Sequence, residues 1–258
     1  MADGLFLDNS GGKLPFAGTP VKESVVSFTD DFAAMVDAVT RRVSPKWTVS
    51  NTSGSAVEGD GVAAASSAAF EEFALRPNDA SWASVEDVAA LVKERLAADS
   101  PSPYLILDSH PGAKPTTDPR TRMGVLSYYY LVGDPNKTFL MFFGGNSPAA
   151  PWQDVFTPAA TVDVGQPAGA MRVWATGTDP ANASLTYKVY GRDYGNALVL
   201  FKPVSYALGK GTGTGDDATA TTHQLNGNYR VLNADGTLGP VVTSVTLRNG
   251  EGAVLMKA

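Results

Sequence analysis

The chain has 258 residues, 43% of them hydrophobic and 18% charged, a composition that suits one large globular domain or two smaller ones. Its net charge of -6 leaves no basic stripe to neutralise phosphates, so we expect no nucleic-acid partner. The absence of cysteine excludes disulfides, thiolate nucleophiles and Cys-ligated zinc or iron–sulfur sites.

The sequence also argues against a membrane span, a bound metal and a cofactor. No apolar run approaches the roughly 20 residues that cross a bilayer, so we expect no membrane partner. The two histidines stand far apart, which excludes a His-rich metal site, and no motif indicates a cofactor. The first residues lack the basic and long apolar regions of a signal peptide. The compartment stays open, and secretion as part of a longer precursor is one option.

The first 150 residues or so alternate between strand-like and helix-like segments. Five short apolar runs mostly end in polar residues or glycine, as buried parallel strands do, and helical periodicity fills several of the intervals. Connections of this length imply a parallel sheet. The predicted strands are 5–7, 46–50, 69–75, 104–107 and 139–143, and the predicted helices are 28–43, 84–96 and 118–130.

The pattern changes at about residue 160, where helical periodicity disappears. Six short strand-like runs follow, separated by turn signals such as Asn226-Gly227 and Asn249-Gly250, which favours an antiparallel β-sandwich. The glycine-rich stretch 209–215 is typical of a mobile loop. We therefore predict two domains, a catalytic-type domain at residues 1–158 and a β-sandwich at residues 159–258.

The number of strand–helix units decides between two kinds of parallel sheet. A closed (β/α) barrel has eight strands and typically about 250 residues, whereas about five units are visible here. The sheet is either open or part of a barrel, and a strand so close to residue 1 favours the barrel. We predict an α/β fold, a partial (β/α) TIM-type barrel of about five C-terminal βα units followed by an antiparallel β-sandwich. Exposed barrel edges would favour a homo-oligomer.

Five segments resemble, in order, parts of bacterial TIM-barrel glycoside hydrolases. They are the strand at 3–9, the acid-bearing strand at 70–73, the helix region 118–131 and the C-terminal β-segments 233–237 and 245–253. The resemblance covers nearly the whole chain, which would begin at about the family's fourth barrel strand and so lacks the first three. It implies a hydrolase that cleaves O-glycosidic bonds of a poly- or oligosaccharide.

Glycosidic cleavage needs two carboxyl groups that flank the scissile bond. Asp8 ends the first strand before a glycine-rich segment, where the alternative is an Asp-Asn turn that closes the strand. Glu71 and Glu72 are adjacent on a strand, so their side chains point to opposite faces. The family resemblance favours Glu72 as the second catalytic acid. Glu71 is then an edge or helix-facing acid near the substrate, paired with a basic side chain.

Other strand ends supply candidate substrate-binding residues. Polar side chains there can hydrogen-bond sugar hydroxyls, and an aromatic ring can stack on a sugar ring. Each has a structural alternative as a loop cap, a turn or a packing residue. These candidates are Asn9, Asn51, Glu71, Asp108, His110 and Trp152. By contrast, we predict that Trp47 and Trp174 are core residues and that His223 lies on the surface of the β-domain.

A rival hypothesis is a non-catalytic carbohydrate-binding or interaction fragment, whose partial barrel cannot assemble a complete site. A serine hydrolase is less favoured, because the chain has no G-x-S-x-G motif. Sugar binding without turnover would distinguish the fragment from the enzyme.

Overall fold

A computed structural model describes residues 3–8, 25–52, 60–72, 74–76, 82–97, 104–109, 118–142, 157–203, 206–207, 210–213 and 220–258. The chain divides into two compact units that interleave in sequence. The first unit takes Met1–Ala74, Glu86–Asp108 and Asn136–Met141, and the second takes Leu75–Val85, Ser109–Pro135 and Phe142–Ala258.

The first unit is built on a parallel sheet with the strands in sequence order, β1-β2-β3-β4-β5. The first four strands pair in parallel, and the Leu105 N–H of β4 donates to the Lys137 carbonyl just before β5. Its elements are β1 (Gly4–Leu7), α1 (Val25–Val43), β2 (Trp47–Asn51), α2 (Asp60–Ala65), β3 (Ala68–Glu71), α3 (Val85–Arg95), β4 (Leu105–Ser109) and β5 (Thr138–Phe142).

The helices carry charges that suit their ends. Glu86 and Asp87 lie in the first turn of α3, and Lys93 and Arg95 lie in its last turn, so both sets oppose the helix dipole. Helix α1 likewise carries Arg41 and Arg42 in its last turn. The sequence did not predict α2, because its six residues are mostly alanine and glycine and show no helical periodicity; packing against α1 forms it.

Strand register divides the parallel sheet into two faces, which we call the helix face and the open face. Residues of the helix face are mostly buried, and α3 reaches this face where Arg95 contacts Glu71. The alternating residues form the open face. The helix face comprises Thr48, Ser50, Ala69, Glu71, Leu105 and Leu107; the open face comprises Phe6, Trp47, Val49, Asn51, Phe70, Tyr104 and Ile106.

Large apolar side chains are exposed on the open face. Trp47 stacks on Tyr104 with ring centroids 4.9 Å apart, and Tyr104 contacts Phe139 of β5 at 5.8 Å, which places Phe139 on the same face. Exposed fractions are 56% for Phe6, 42% for Trp47, 47% for Phe139 and 38% for Met141. The prediction that Trp47 is a core residue is therefore wrong, because 42% of the residue is exposed, although Phe70 on the same face is buried.

The second unit combines helix α4 (Pro119–Val132) with an antiparallel sheet of eight strands. The strand order is β10-β9-β7-β8-β13-β11-β12, and β6 pairs with β7. Leu198, Leu200 and Leu255 lie in its buried core. The strands are β6 (Arg172–Asp179), β7 (Asn182–Asp193), β8 (Ala197–Lys202), β9 (Tyr206–Ala207), β10 (Lys210–Gly213), β11 (Thr221–Leu232), β12 (Leu238–Leu247) and β13 (Glu251–Lys257).

Helix α4 packs on β8 and β13, so it belongs with the antiparallel sheet. Asp118 caps its N-terminus by accepting the Thr121 N–H at 3.0 Å. The rings of Tyr128 and Phe201 stack at 5.0 Å. Gly252 permits the close approach, because a Cβ there would lie 2.3 Å from the Ser127 Cβ. The two compact units thus divide the chain differently from the predicted boundary at residue 158, which stays a prediction.

The coarse fold class is confirmed: a parallel α/β unit and an antiparallel β unit are both present. The glycine-rich stretch predicted as a loop contributes β10. His223, predicted at the surface, is buried, with its Nε2 2.8 Å from the Thr221 hydroxyl and its ring edge-on to Trp174 and Tyr187. None of the helices in the described ranges is long and apolar enough to cross a membrane.

Candidate functional site

Three neighbouring strand ends bring two carboxylates and an amide together. Asp8 follows β1, Asn51 ends β2 and Glu72 follows β3. The Asn51 Nδ2 donates to Asp8 Oδ1 at 2.9 Å and to Glu72 Oε2 at 3.1 Å. The contact forms because parallel strands end at the same edge of the sheet, and all three side chains lie on the open face. We call Asp8 and Glu72 the carboxylate pair.

The shared amide fixes the spacing of the carboxylate pair. Each of the two carboxylate oxygens lies about 3 Å from the same nitrogen, whose two N–H bonds diverge by roughly 120°. The oxygens are therefore about 5 Å apart. Asn51 is buried, Glu72 is half-buried and Asp8 is exposed, so the pair is reachable from solvent at Asp8 while the amide that orients it is shielded.

Glu71 points the other way, into the helix face. Its Oε1 accepts from the Thr52 hydroxyl at 2.8 Å and from the Arg95 Nε at 2.9 Å. Burial raises the pKa of Glu71 to about 7, although the Thr52 hydrogen bond opposes the shift, and burial lowers the pKa of Arg95. The ion pair ties α3 to β3. These contacts favour a structural part for Glu71, and its predicted contact with substrate stays a prediction.

Asp108 lies near the end of β4 and is fully buried. The register pairs Phe70 with Ile106 and Glu71 with Leu107, so the next pair along is Glu72 and Asp108. Asp108 therefore shares the open face with the carboxylate pair, one strand beyond Glu72.

Three of the predicted substrate-binding residues, Asn9, His110 and Trp152, lie outside the described residues. Within the described ranges, no group of three or more histidines and acids is arranged to hold a metal ion. The oxygen atoms of the carboxylate pair instead face a neutral amide donor.

The sequence interpretation missed Thr52 and Arg95, the two partners that hold Glu71. Arg95 is one of several basic residues near a helix end, and a pairing 24 residues away leaves no local signal. Thr52 follows directly after β2, and its side chain points to the helix face, opposite to Asn51. These two residues hold Glu71 in a buried ion pair, whereas the adjacent Glu72 stays half-buried on the open face.

A second group of titratable side chains lies in the antiparallel sheet. Lys202 is fully buried, with its Nζ 4.9 Å from the centre of the Tyr187 ring. Burial lowers the pKa of Lys202 to about 8, against the attraction of Asp179 and Glu251. Burial, together with the charge of Lys202, lowers the pKa of His223. These groups line the interior of the sheet and take no part in the candidate site.

Comparisons with known proteins do not identify a function for this chain. No family model matches the sequence, and no curated protein matches it. Among solved structures, the chain is similar to a glucosidase from Croceicoccus marinus, with 12% identity and a TM-score of 0.34. The match covers 99% of this chain and 68% of that one. A TM-score this low does not establish a common fold.

Proposed function

We propose that this protein is a glycoside hydrolase that cleaves O-glycosidic bonds with Asp8 and Glu72 as its two carboxyl groups. The observation that carries the proposal is the single Asn51 amide that holds both carboxylates at neighbouring strand ends. Parallel α/β sheets bind ligands at the carboxyl-terminal ends of their strands, and the pair lies there. Two carboxyl groups are the minimum that glycosidic cleavage requires.

The spacing favours a retaining mechanism. Carboxyl groups about 5–5.5 Å apart suit a covalent glycosyl–enzyme intermediate, whereas inverting enzymes separate them by about 6.5–9.5 Å to admit a water molecule. One member of the pair would attack the anomeric carbon while the other protonates the departing oxygen. The second would then take a proton from the water that releases the sugar. Asn51 keeps both carboxylates oriented throughout.

The remaining candidates would form the substrate subsites. We propose Asp108 as a hydrogen-bond acceptor for a sugar hydroxyl, because it lies beside Glu72 in the strand register. Asn9, His110 and Trp152 stay proposals from the sequence. We further infer that the parallel unit is an incomplete (β/α) barrel and that the antiparallel sheet is a curled sandwich with a structural or accessory sugar-binding part.

The test is a matched set of variants assayed on a panel of aryl glycosides and polysaccharides. Glu72→Gln and Asp8→Asn should each lower kcat/KM by about 10²–10⁴ or more, because each removes an acid–base or nucleophilic group. Glu94→Gln, an exposed acid on α3, is the control. Near-normal turnover by Glu72→Gln would overturn the assignment, and sugar binding without turnover by the unaltered chain would favour the non-catalytic alternative.

Azide separates the roles of the two carboxylates. In a retaining enzyme, an external anion can replace a missing nucleophile but cannot replace the acid that protonates a poor leaving group. With a poor leaving group, azide should therefore restore turnover only in the alanine variant that lacks the nucleophile, and the product should be a glycosyl azide of inverted configuration. Equal behaviour of Asp8→Ala and Glu72→Ala in azide would contradict a division of roles.

A further inference from the structure

The sequence contains two Asn-Gly dipeptides, and both lie in the second unit, which carries the antiparallel sheet. Asn249-Gly250 forms the turn between β12 and β13, as the sequence predicts. The sequence also predicts Asn226-Gly227 as a turn between strands, whereas this dipeptide lies inside β11. A glycine leaves its own backbone nitrogen unhindered and its backbone unusually mobile, so an Asn-Gly pair inside a strand is open to backbone chemistry.

The register between β11 and β12 shows how the dipeptide fits into a strand. Four residues of β11, 225–228, lie opposite one residue of β12, Thr243. The pairs that enclose them are Gln224↔Ser244 and Tyr229↔Val242. The extra residues form a β-bulge, where the ladder is locally disrupted. Asn226 and Gly227 are both exposed, so water reaches the dipeptide, and the neighbouring strand restrains it less than the paired residues on either side.

The Tyr229 hydroxyl contacts the side-chain carbonyl of Asn226. It donates to Asn226 Oδ1 at 2.8 Å, and Tyr229 itself is buried. Burial raises the pKa of Tyr229, and the charge of Asp193 adds to the shift, so the hydroxyl keeps its proton in mildly alkaline solution. A fixed donor on a carbonyl oxygen stabilises the negative charge that develops there when a nucleophile attacks the carbonyl carbon. The Asn226 side chain is therefore polarised toward attack.

The Gly227 backbone nitrogen can close a succinimide ring on that carbon. Its attack forms a bond to the side-chain carbonyl carbon of Asn226. The bond from this carbon to the side-chain nitrogen breaks, and that nitrogen leaves as ammonia with the proton of the Gly227 amide. Water then opens the ring at either carbonyl carbon, which leaves aspartate or isoaspartate in place of the asparagine. The reaction consumes water, releases ammonia and needs no oxidant, reductant or cofactor.

Asn249-Gly250 presents the same dipeptide in a setting that opposes this reaction. Asn249 is 1% exposed, and the Gly250 N–H donates to the Lys202 carbonyl at 2.8 Å. Gly250 also has a φ of 77°, which the turn requires. Ring closure there would first have to break the hydrogen bond of the attacking nitrogen. The two dipeptides therefore differ in their surroundings and not in their chemistry.

We propose that Asn226 is a site of spontaneous modification, at which the Gly227 nitrogen converts the asparagine to aspartate or isoaspartate, while Asn249 stays intact in the folded protein. Each conversion adds a negative charge to the bulge beside the Tyr229 hydroxyl, and isoaspartate also lengthens the backbone there. The proposal concerns the antiparallel sheet and is independent of the proposed glycosidase activity.

Peptide mass spectrometry on the folded chain tests the proposal. The purified protein is incubated in mildly alkaline buffer, and samples are digested at intervals. The peptide that contains Asn226 should gain the mass that separates an amide from an acid, and an isoaspartate-specific methyltransferase should label it. The peptide that contains Asn249 should keep its mass.

The unfolded chain is the control for the effect of the fold. In urea, where the surroundings of the two dipeptides no longer differ, Asn226 and Asn249 should convert at similar rates. Equal conversion of the two asparagines in the folded chain, or conversion of Asn226 in urea alone, would overturn the proposal.

Two substitutions test the parts of Gly227 and Tyr229. A Cβ at Gly227 would lie 3.4 Å from Tyr229 Cε2, an ordinary contact, so Gly227→Ala should fold normally. Its methyl group should hinder the nitrogen and slow conversion several-fold. Tyr229→Phe keeps the ring but removes the hydroxyl and should also slow conversion several-fold. Circular dichroism verifies that both variants are folded.

Each substitution has an outcome that counts against the proposal. Conversion of Gly227→Ala at the wild-type rate would refute attack by the Gly227 nitrogen. The same result for Tyr229→Phe would refute the part assigned to the hydroxyl. Because none of these measurements uses turnover, a failure of the proposed glycosidase activity would leave their results unchanged.

Discussion

Replacing Arg95 by methionine isolates the contribution of the buried ion pair on the helix face. The Arg95 and Glu71 side chains are 1% and 5% exposed, and the Nε–Oε1 distance is 2.9 Å. Methionine keeps much of the side-chain volume but cannot donate a hydrogen bond. Within the described residues, the buried Glu71 carboxyl then keeps the Thr52 hydroxyl as its donor. Breaking a buried pair from one side costs about 3–5 kcal/mol, so we expect a loss of that size at pH 8.

The loss should depend on pH in a defined direction. Burial raises the pKa of Glu71 from 4.5 to about 7, so its contribution to stability is fully present below about 4.5 and is lost as the pH rises through 7. Without the guanidinium, the folded-state pKa of Glu71 rises further, and the loss continues to higher pH. The difference in the free energy of unfolding between wild type and Arg95→Met should therefore widen between pH 6 and pH 9, by at most about 1.4 kcal/mol per pH unit.

Urea unfolding followed by circular dichroism at pH 6 and pH 8.5 measures the effect. The double variant Glu71→Leu/Arg95→Met is the matched control and should recover most of the stability, because an apolar pair often replaces a buried ion pair at little cost. A loss below about 1 kcal/mol in Arg95→Met, or an equal loss in the double variant, would refute the assignment of Glu71 to a structural ion pair.

Three further changes test other parts of the structure. Asn51→Ala should lower kcat by roughly 10²-fold in a glycosidase assay, because misplaced catalytic groups react slowly. An unchanged kcat would show that the Asn51 amide does not orient Asp8 and Glu72. Since the pKa of Lys202 is lowered to about 8, urea titrations should show stability rising by up to about 3 kcal/mol from pH 8 to 10.5. Lys202→Met should remove that rise. Gly252→Ala should destabilise the protein by about 1–3 kcal/mol in thermal unfolding, since its Cβ would collide with Ser127; equal stability would contradict the packing of α4 on β13.

The elements of the parallel unit follow closely from local sequence, because apolar runs and helical periodicity act over a few residues. The predicted strand 5–7 is observed as Gly4–Leu7, and the predicted helix 84–96 as Val85–Arg95. Helix α2 could not be predicted, because six residues without periodicity are stabilised by packing on α1. The exposure of Trp47 and the burial of His223 likewise depend on what covers each side chain, which local patterns do not contain.

The candidate site shows the same division between local and long-range information. Alternation along a strand required Glu71 and Glu72 to point to opposite faces. Which of the two shares a face with Asp8 depends on the register between β2 and β3 and on Arg95, which lies 24 residues from Glu71. The bridge from Asn51 to both carboxylates joins residues 43 and 21 positions apart, so the sequence supplied the candidates but not their contact.

The most direct test of the account is hydrolysis of an aryl-glycoside panel by the purified chain, compared with its Glu72→Gln variant under the same conditions. If Asp8 and Glu72 are the catalytic pair, the chain should turn over at least one glycoside with net retention of configuration, and the Glu72→Gln variant should keep its fold but lose about 10²–10⁴ or more of that rate. Turnover that survives the Glu72→Gln substitution, or a folded wild-type chain that hydrolyses no glycoside, would contradict it.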